Sequence, residues 1–153
     1  MQPKGKIIAV NISAAKGTRK KNVGHCELLV DFSLKADAHG GPWHRQVSLL
    51  AMESIRKMQA KGLTVGPGDF AENICTEGLD LPALPIGTKI KIGVGSLLEV
   101  TQIGKICHTR CAIFYQAGDC VMPREGIFAR VLQGGEIQVG DEIDVFSGDP
   151  DHQ

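Results

Sequence analysis

Glycine and proline interrupt this chain at 19 and 7 of its 153 positions, from Pro3 near the start to Pro150 near the end. Glycine loses much backbone freedom on folding, and proline removes a helix hydrogen bond. Punctuation this dense favours many short elements joined by sharp turns over a few long helices. The segments between the breakers agree. Lys6–Ile12 (KIIAVNI) is β-branched, bounded by Gly5 and Ser13, and reads as a strand buried on both faces. Glu27–Phe32 (ELLVDF) reads as another, with the basic stretch Ser13–Asn22 as the loop between them. Thr88–Ile92 and Glu142–Phe146 alternate apolar and polar residues, and Leu97–Thr101 follows the first across a Gly93–Ser96 hairpin turn. The segments Ile86–Ile92 and Val139–Val145 resemble each other. Each sets a glycine turn, Gly87 or Gly140, before an alternating strand, a pattern of small barrels whose strands begin at corners.

The clearest helical pattern spans Gln46–Lys61, where Val47, Leu50, Ala51, Ile55 and Met58 recur on one face and Gly62 supplies the stop. Arg124–Leu132 reads as a shorter helix ended by Gly134 and Gly135, and Gly66–Asp69 as a turn. Strands and helices do not alternate regularly, which disfavours a doubly wound sheet. The expected architecture is mainly β: a small barrel with one clear and one or two short peripheral helices. It forms a single domain over 1–153, with its core in about 5–146 and a polar tail at 147–153.

Seventeen basic and seventeen acidic residues cancel, so the long-range field does not suit a general polyanion binder, and no nucleic-acid role is expected. The cancellation hides an asymmetry. Residues 1–60 hold ten Lys/Arg against four Asp/Glu, and residues 61–153 seven against thirteen, which leaves room for one local anion site in the first part. No apolar run reaches membrane-spanning length, and the charged start lacks the apolar core of a secretory signal. The expected compartment is therefore the cytoplasm, where thiols stay reduced. Five cysteines in any case cannot all pair within one chain.

Three clusters carry chemistry. Cys107-His108-Thr109-Arg110-Cys111, with Cys120 beyond, follows a predicted strand. It has three readings: a zinc site built on Cys107, Cys111 and Cys120; a reactive thiolate favoured by Lys105, His108 and Arg110; or small buried hydrophobes. Basic neighbours on both sides of Cys107 move that one towards function, whereas Cys26 and Cys75 read as core filling. The second cluster runs from Asp37 to Gln46 and packs His39, Gly40, Gly41, Trp43, His44 and Arg45 together. Gly40-Gly41 would let backbone amides approach a ligand, and Arg45 would stand at the start of the long helix, where anions are favoured. The third is the basic loop with Lys16, Arg19 and Lys20, which lacks the spacing of a nucleotide-binding P-loop. A turn, Gly66–Asn73, adds Asp69, Glu72 and Asn73; its two carboxylates could serve acid–base chemistry or simply be surface groups.

In this order Ser13–Gly17, Asp37–Gly41, His44–Ser48, Pro67–Asn73, Leu98–Thr101, Ile106-Cys107 and Gly126–Val131, followed by a Gly-Asp before the final strand, resemble the MOSC domain. That is the module at the C-terminus of molybdenum cofactor sulfurases, and the likeness is to its short stand-alone bacterial members. The resemblance covers about 5–146 and implies a β-barrel-like fold and a role with the molybdenum cofactor. The chain would bind the pterin cofactor or carry sulfur as a persulfide for its maturation. The matching thiol is Cys107, which would be the molybdenum ligand if the metal is bound, with Cys111 as rival. The family's Pro before that Cys is Ile106 here, and its Gly-Asp-x-His reads Ala36-Asp37-Ala38-His39. Taken with the basic and polar clusters above, the candidate cofactor-binding residues are Lys16, Arg19, Asp37, His39, Gly40, Gly41, His44, Arg45, Asn73 and Arg110. The pyridoxal phosphate domain of the sulfurases has no counterpart in this chain, so no pyridoxal phosphate is expected. The implied partners are enzymes of molybdenum cofactor biosynthesis or molybdoenzymes. Two alternatives stand beside this reading: a small molybdenum-dependent reductase of N-hydroxylated compounds, and a zinc-binding structural module.

Overall fold

The computed structural model describes residues 4–15, 19–38, 40–104 and 125–146. Among these, β1 (Lys4–Ile12), β2 (Lys21–Asn22), β3 (His25–Leu29), β4 (Ser33–Leu34) and β5 (Val47–Ala51) precede the helix α1 (Met52–Ala60). After it come β6 (Ile74–Glu77), a 3-10 turn at Leu81–Ala83, β7 (Lys89–Ile92), β8 (Ser96–Ile103), β9 (Ile127–Gln133), β10 (Gly135–Gln138) and β11 (Glu142–Phe146). Seven strands close into a barrel in the order β1-β11-β7-β8-β9-β5-β6 and back to β1. All neighbours are antiparallel except β5 and β6. Closure leaves the barrel no free edge. β2 hangs on the end of β1, and β10, β3 and β4 form a small second sheet.

The two similar segments recognised in the sequence lie side by side as β7 and β11, with Ile92 opposite Ile143. Gly87 and Gly140 both take φ +96°, the left-handed conformation that turns the chain into each strand. The expected hairpin joins β7 to β8, with Ile92 opposite Ser96.

Two apolar layers use opposite faces of the same strands. Val47, Leu49, Ile74, Ile127, Ala129 and Val131 belong to the barrel interior. Ala9, Leu50, Cys75 and Phe128 face outwards and are covered by Ile55 and Met58 of α1. This double burial accounts for two corrections. The helix expected over Gln46–Lys61 begins only at Met52: the preceding Val47–Ala51 is a strand buried at every position, and its apolar residues on both faces mimic a helical face. The short helix expected over Arg124–Leu132 is instead strand β9 from Ile127 onwards, with Ile127, Ala129 and Val131 inside and Phe128 and Arg130 outside. No helix among the described residues is long and apolar enough to cross a membrane.

Candidate functional site

Three connections meet at one rim of the barrel: the loop after β1, the segment between β4 and β5, and the turn between α1 and β6. They meet because β1 ends where β5 and β6 begin, with Val10 opposite Ile74 and Leu49 opposite Ile74. Asn73, just ahead of β6, holds the three together. Its Oδ1 accepts from the Ser48 amide at 3.0 Å and from Ser48 Oγ at 3.1 Å, and its Nδ2 donates to Asn11 O at 3.2 Å. It also hydrogen-bonds Asp37.

Asp37 lies at the floor of this rim. Its Oδ1 accepts from Lys20 Nζ at 2.7 Å and from the Ser13 amide at 3.0 Å, and Lys20 Nζ also donates to Ser13 Oγ at 3.2 Å. The Lys20 and Asp37 side chains are 1% and 0% exposed. Burial pushes the Asp37 carboxyl up, but the Lys20 hydrogen bond and charge and the Ser13 amide outweigh it and hold it below the usual carboxylate range. Lys20 therefore does not offer its charge to a ligand in the way a solvated basic loop would. Arg19, its neighbour, points outwards at 61% exposure, with Asp69 at 3.9 Å.

Gly40 and Gly41 also face the protein. Their amides donate to Asp37 O and Phe32 O at 3.2 and 3.1 Å, and a Cβ on Gly40 would lie 2.3 Å from the Phe32 ring. Glycine is required there by packing, and the amides expected to approach a ligand are already paired.

His44 and Arg45 form the outer lip. His44 Nε2 and Arg45 Nε both meet Gln102 Oε1, at 2.8 and 3.0 Å, and Thr101 Oγ1 donates to His44 O. Thr101 falls in the irregularity of β8 between Val100 and Gln102, where a bulge re-aims side chains. Arg45 does not cap the helix as expected: α1 starts seven residues later, after Ala51. The Arg45 guanidinium stacks instead on Phe128, 5.2 Å from the ring centre. Its terminal nitrogens have no hydrogen-bond partner among the described residues. Beyond His44 lies a cavity of about 470 Å³ lined by Asp31, Trp43, Gln46, Glu99 and Arg130 among others.

β8 and β9 stay paired up to the point where the chain leaves the barrel, with Gly104 N donating to Gly126 O at 2.7 Å. Cys107, Arg110, Cys111 and Cys120, as well as Lys16 and His39, lie outside the described residues. Among the described residues no His, Cys, Asp or Glu group is arranged to hold a metal ion. Cys75 is 0% exposed, and burial with the nearby Glu72 charge pushes its thiol up to about 12, as a core filler requires. Cys26 is half-buried against the barrel core, and burial raises its thiol too. Ser13, Ser48 and Gln102 are site residues the sequence reading missed. Ser48 stands inside a run read as helix, and nothing in the local sequence marks Gln102.

A model of the MOSC domain matches residues 35–144. The chain belongs to the MOSC domain family. This MOSC domain superposes on the YUAD protein from Bacillus subtilis with TM-score 0.79 and 19% identity, covering 96% of this chain and 98% of that one. It is similar to YiiM from Geobacillus stearothermophilus (TM-score 0.67, 18% identity, 94% and 75% covered) and to YiiM from Escherichia coli (0.65, 19%, 96% and 70%). At these identities the likeness speaks for the fold. A search of curated proteins finds no match. The family ties the domain in general to molybdenum cofactor biology.

Proposed function

We propose that this MOSC domain binds the molybdenum cofactor at the rim, as a single cytoplasmic domain serving the enzymes that make or use that cofactor. The observation that carries the reading is Arg45. It is stacked on Phe128, fixed through Nε by Gln102, and keeps its terminal nitrogens without a partner among the described residues, a fork suited to a phosphate. It sits beside Gln102, two residues from Gly104, after which the chain runs on to Cys107.

The described donors suit the phosphate end of the group. Arg45, with His44 beside it on Gln102, and the exposed Arg19 are the cations offered to the phosphate, and Asp37 and Asn73 hold the frame. Outside the described residues, Lys16, His39 and Arg110 are further candidates for the phosphate by residue type, and the thiolate of Cys107, or of its rival Cys111, for the soft metal. When bound, the cofactor would supply a redox-active molybdenum with a position for a thiolate. Loading the protein with molybdenum cofactor and measuring bound molybdenum and phosphorus tests the reading. Arg45→Ala should weaken loading by about tenfold, the loss of one charge-assisted bidentate contact. Cys107→Ala should release the metal without unfolding the protein. No loading of the wild-type protein, or equal loading of all three, overturns it.

A further inference from the structure

The turn Gly66–Asn73 contains a group this function leaves unused. Glu72 is a carboxylate at 0% exposure. Its Oε2 accepts from the Gly68 amide at 2.7 Å and its Oε1 from the Phe70 amide at 3.2 Å, so the turn is wrapped around its own side chain. No cation pairs with it among the described residues. The wrapping holds the backbone in unusual states, with Gly68 at φ +91° and Ala71 at φ +64°. Ala71 is a side-chain-bearing residue in the left-handed region, a conformation that persists only where its surroundings enforce it.

The turn grips the rest of the rim at three points. Lys20 N donates to Gly68 O at 2.8 Å, Asn11 Nδ2 donates to Glu72 O at 3.1 Å, and Asn73 follows directly to meet Ser48. Asn11 Oδ1 is buried here with no donor among the described residues, so the polar pairing of this corner is incomplete as it stands.

We propose that Glu72 is a positioning residue of the rim: its carboxylate shapes the turn that sets Asn73 against Ser48 and Gly68 against Lys20, and its proton decides how tightly both contacts are held. A carboxylate offers an acceptor to each amide. Once protonated, one oxygen becomes a donor and a poorer acceptor, and one of the two amides is held less tightly. The step that moves is an acid dissociation, with the proton exchanged with water. Burial raises this carboxyl to about 7, so the change falls near neutral pH. The charged and titratable groups facing it are Asp69 on the same turn and Cys75 on β6. Arg19 reaches Asp69 from the loop after β1. The inference rests on the reading of the rim as an anion site only for its consequence on binding.

An NMR titration of the isotopically labelled wild-type protein from pH 5 to 8.5 tests it. The amides of Gly68 and Phe70 should titrate, and the Asn73 side-chain amide and the Lys20 and Ser48 amides should follow with the same midpoint. In Glu72→Gln the midpoint should vanish from all five signals. Movement of Gly68 and Phe70 alone, or no midpoint in this range, overturns the proposal, and neither outcome depends on the variant folding. Binding of sulfate, which does not titrate here, should change about fivefold across the midpoint and lose that dependence in Glu72→Gln. Sulfate binding without the midpoint also overturns positioning of the site. Absence of sulfate binding at every pH counts against the anion site itself, and the shared NMR midpoint then decides the role of Glu72 by its presence or absence.

Discussion

The rim holds two buried carboxylates in opposite ways. Asp37 faces the Lys20 ammonium at 2.7 Å with the Ser13 amide beside it, and its charge is neutralised inside the fold. Glu72 has only backbone amides, and its charge is opposed by burial. Asn73 stands between them, bonded to Asp37 on one side and next in sequence to Glu72 on the other. One carboxylate is a fixed strut, and the other can change state. A buried carboxylate is rigid or responsive according to whether a cation shares its site, even when both lie under the same loops.

The largest effect should come from breaking the strut. Lys20→Met leaves Asp37 charged and unpaired in a fully buried position, and such breaks cost about 3–5 kcal/mol. Urea unfolding of Lys20→Met measures it. Lys20→Met with Asp37→Leu should recover part of the loss, because two apolar groups replace a pair rather than orphan one member. A loss under about 1 kcal/mol for the single variant would mean that the pair is solvated and the two regions are alike.

The next effect separates the regions by pH. Glu72 is raised from 4.5 to about 7, so the folded state holds this proton more tightly than the unfolded chain does. Its share of stability is therefore full below pH 4.5 and is lost as pH rises through 7, by on the order of 3 kcal/mol. Asp37 has the opposite sign. Its depressed value contributes stability above its ordinary 3.8, lost as pH falls through the folded-state value. Melting curves against pH should therefore fall away on both sides of a maximum in the acid range. Glu72→Gln should flatten the fall towards neutral pH and leave the acid limb alone. A wild-type curve flat from pH 4.5 to 7.5 would remove the distinction between the two carboxylates.

What the sequence makes legible follows from the same contrast. Alternating strands such as β7 and β11, each opened by a glycine, are readable because one face meets the core and the other meets water. The run Val47–Ala51 is not, because the barrel claims Val47, Leu49 and Ala51 while Leu50 packs under α1. Periodicity cannot distinguish such a strand from a helix, and that one misreading also misplaced Arg45. At the rim the residue types were visible but their direction was not. Lys20 and Arg19 are neighbours in one basic loop, yet one is sealed against Asp37 and the other is exposed. That choice is made by Asp37, seventeen residues away from Lys20, and no local pattern encodes it.

The smallest effect probes the place where the two regions touch. A Cβ on Gly68 would stand 2.1 Å from Lys20 O, and the residue sits at φ +91°. Gly68→Ala must move one backbone away from the other and strain a left-handed position, at about 1–3 kcal/mol. The displaced contact belongs to the responsive side, through the Gly68 amide on Glu72, and to the strut side, through Lys20 N on Gly68 O. Gly68→Ala and Glu72→Gln should therefore be non-additive by at least about 0.5 kcal/mol, as neighbours sharing one network are. Additive losses would show that the turn and the strut stand independently, and that Asn73 alone joins them.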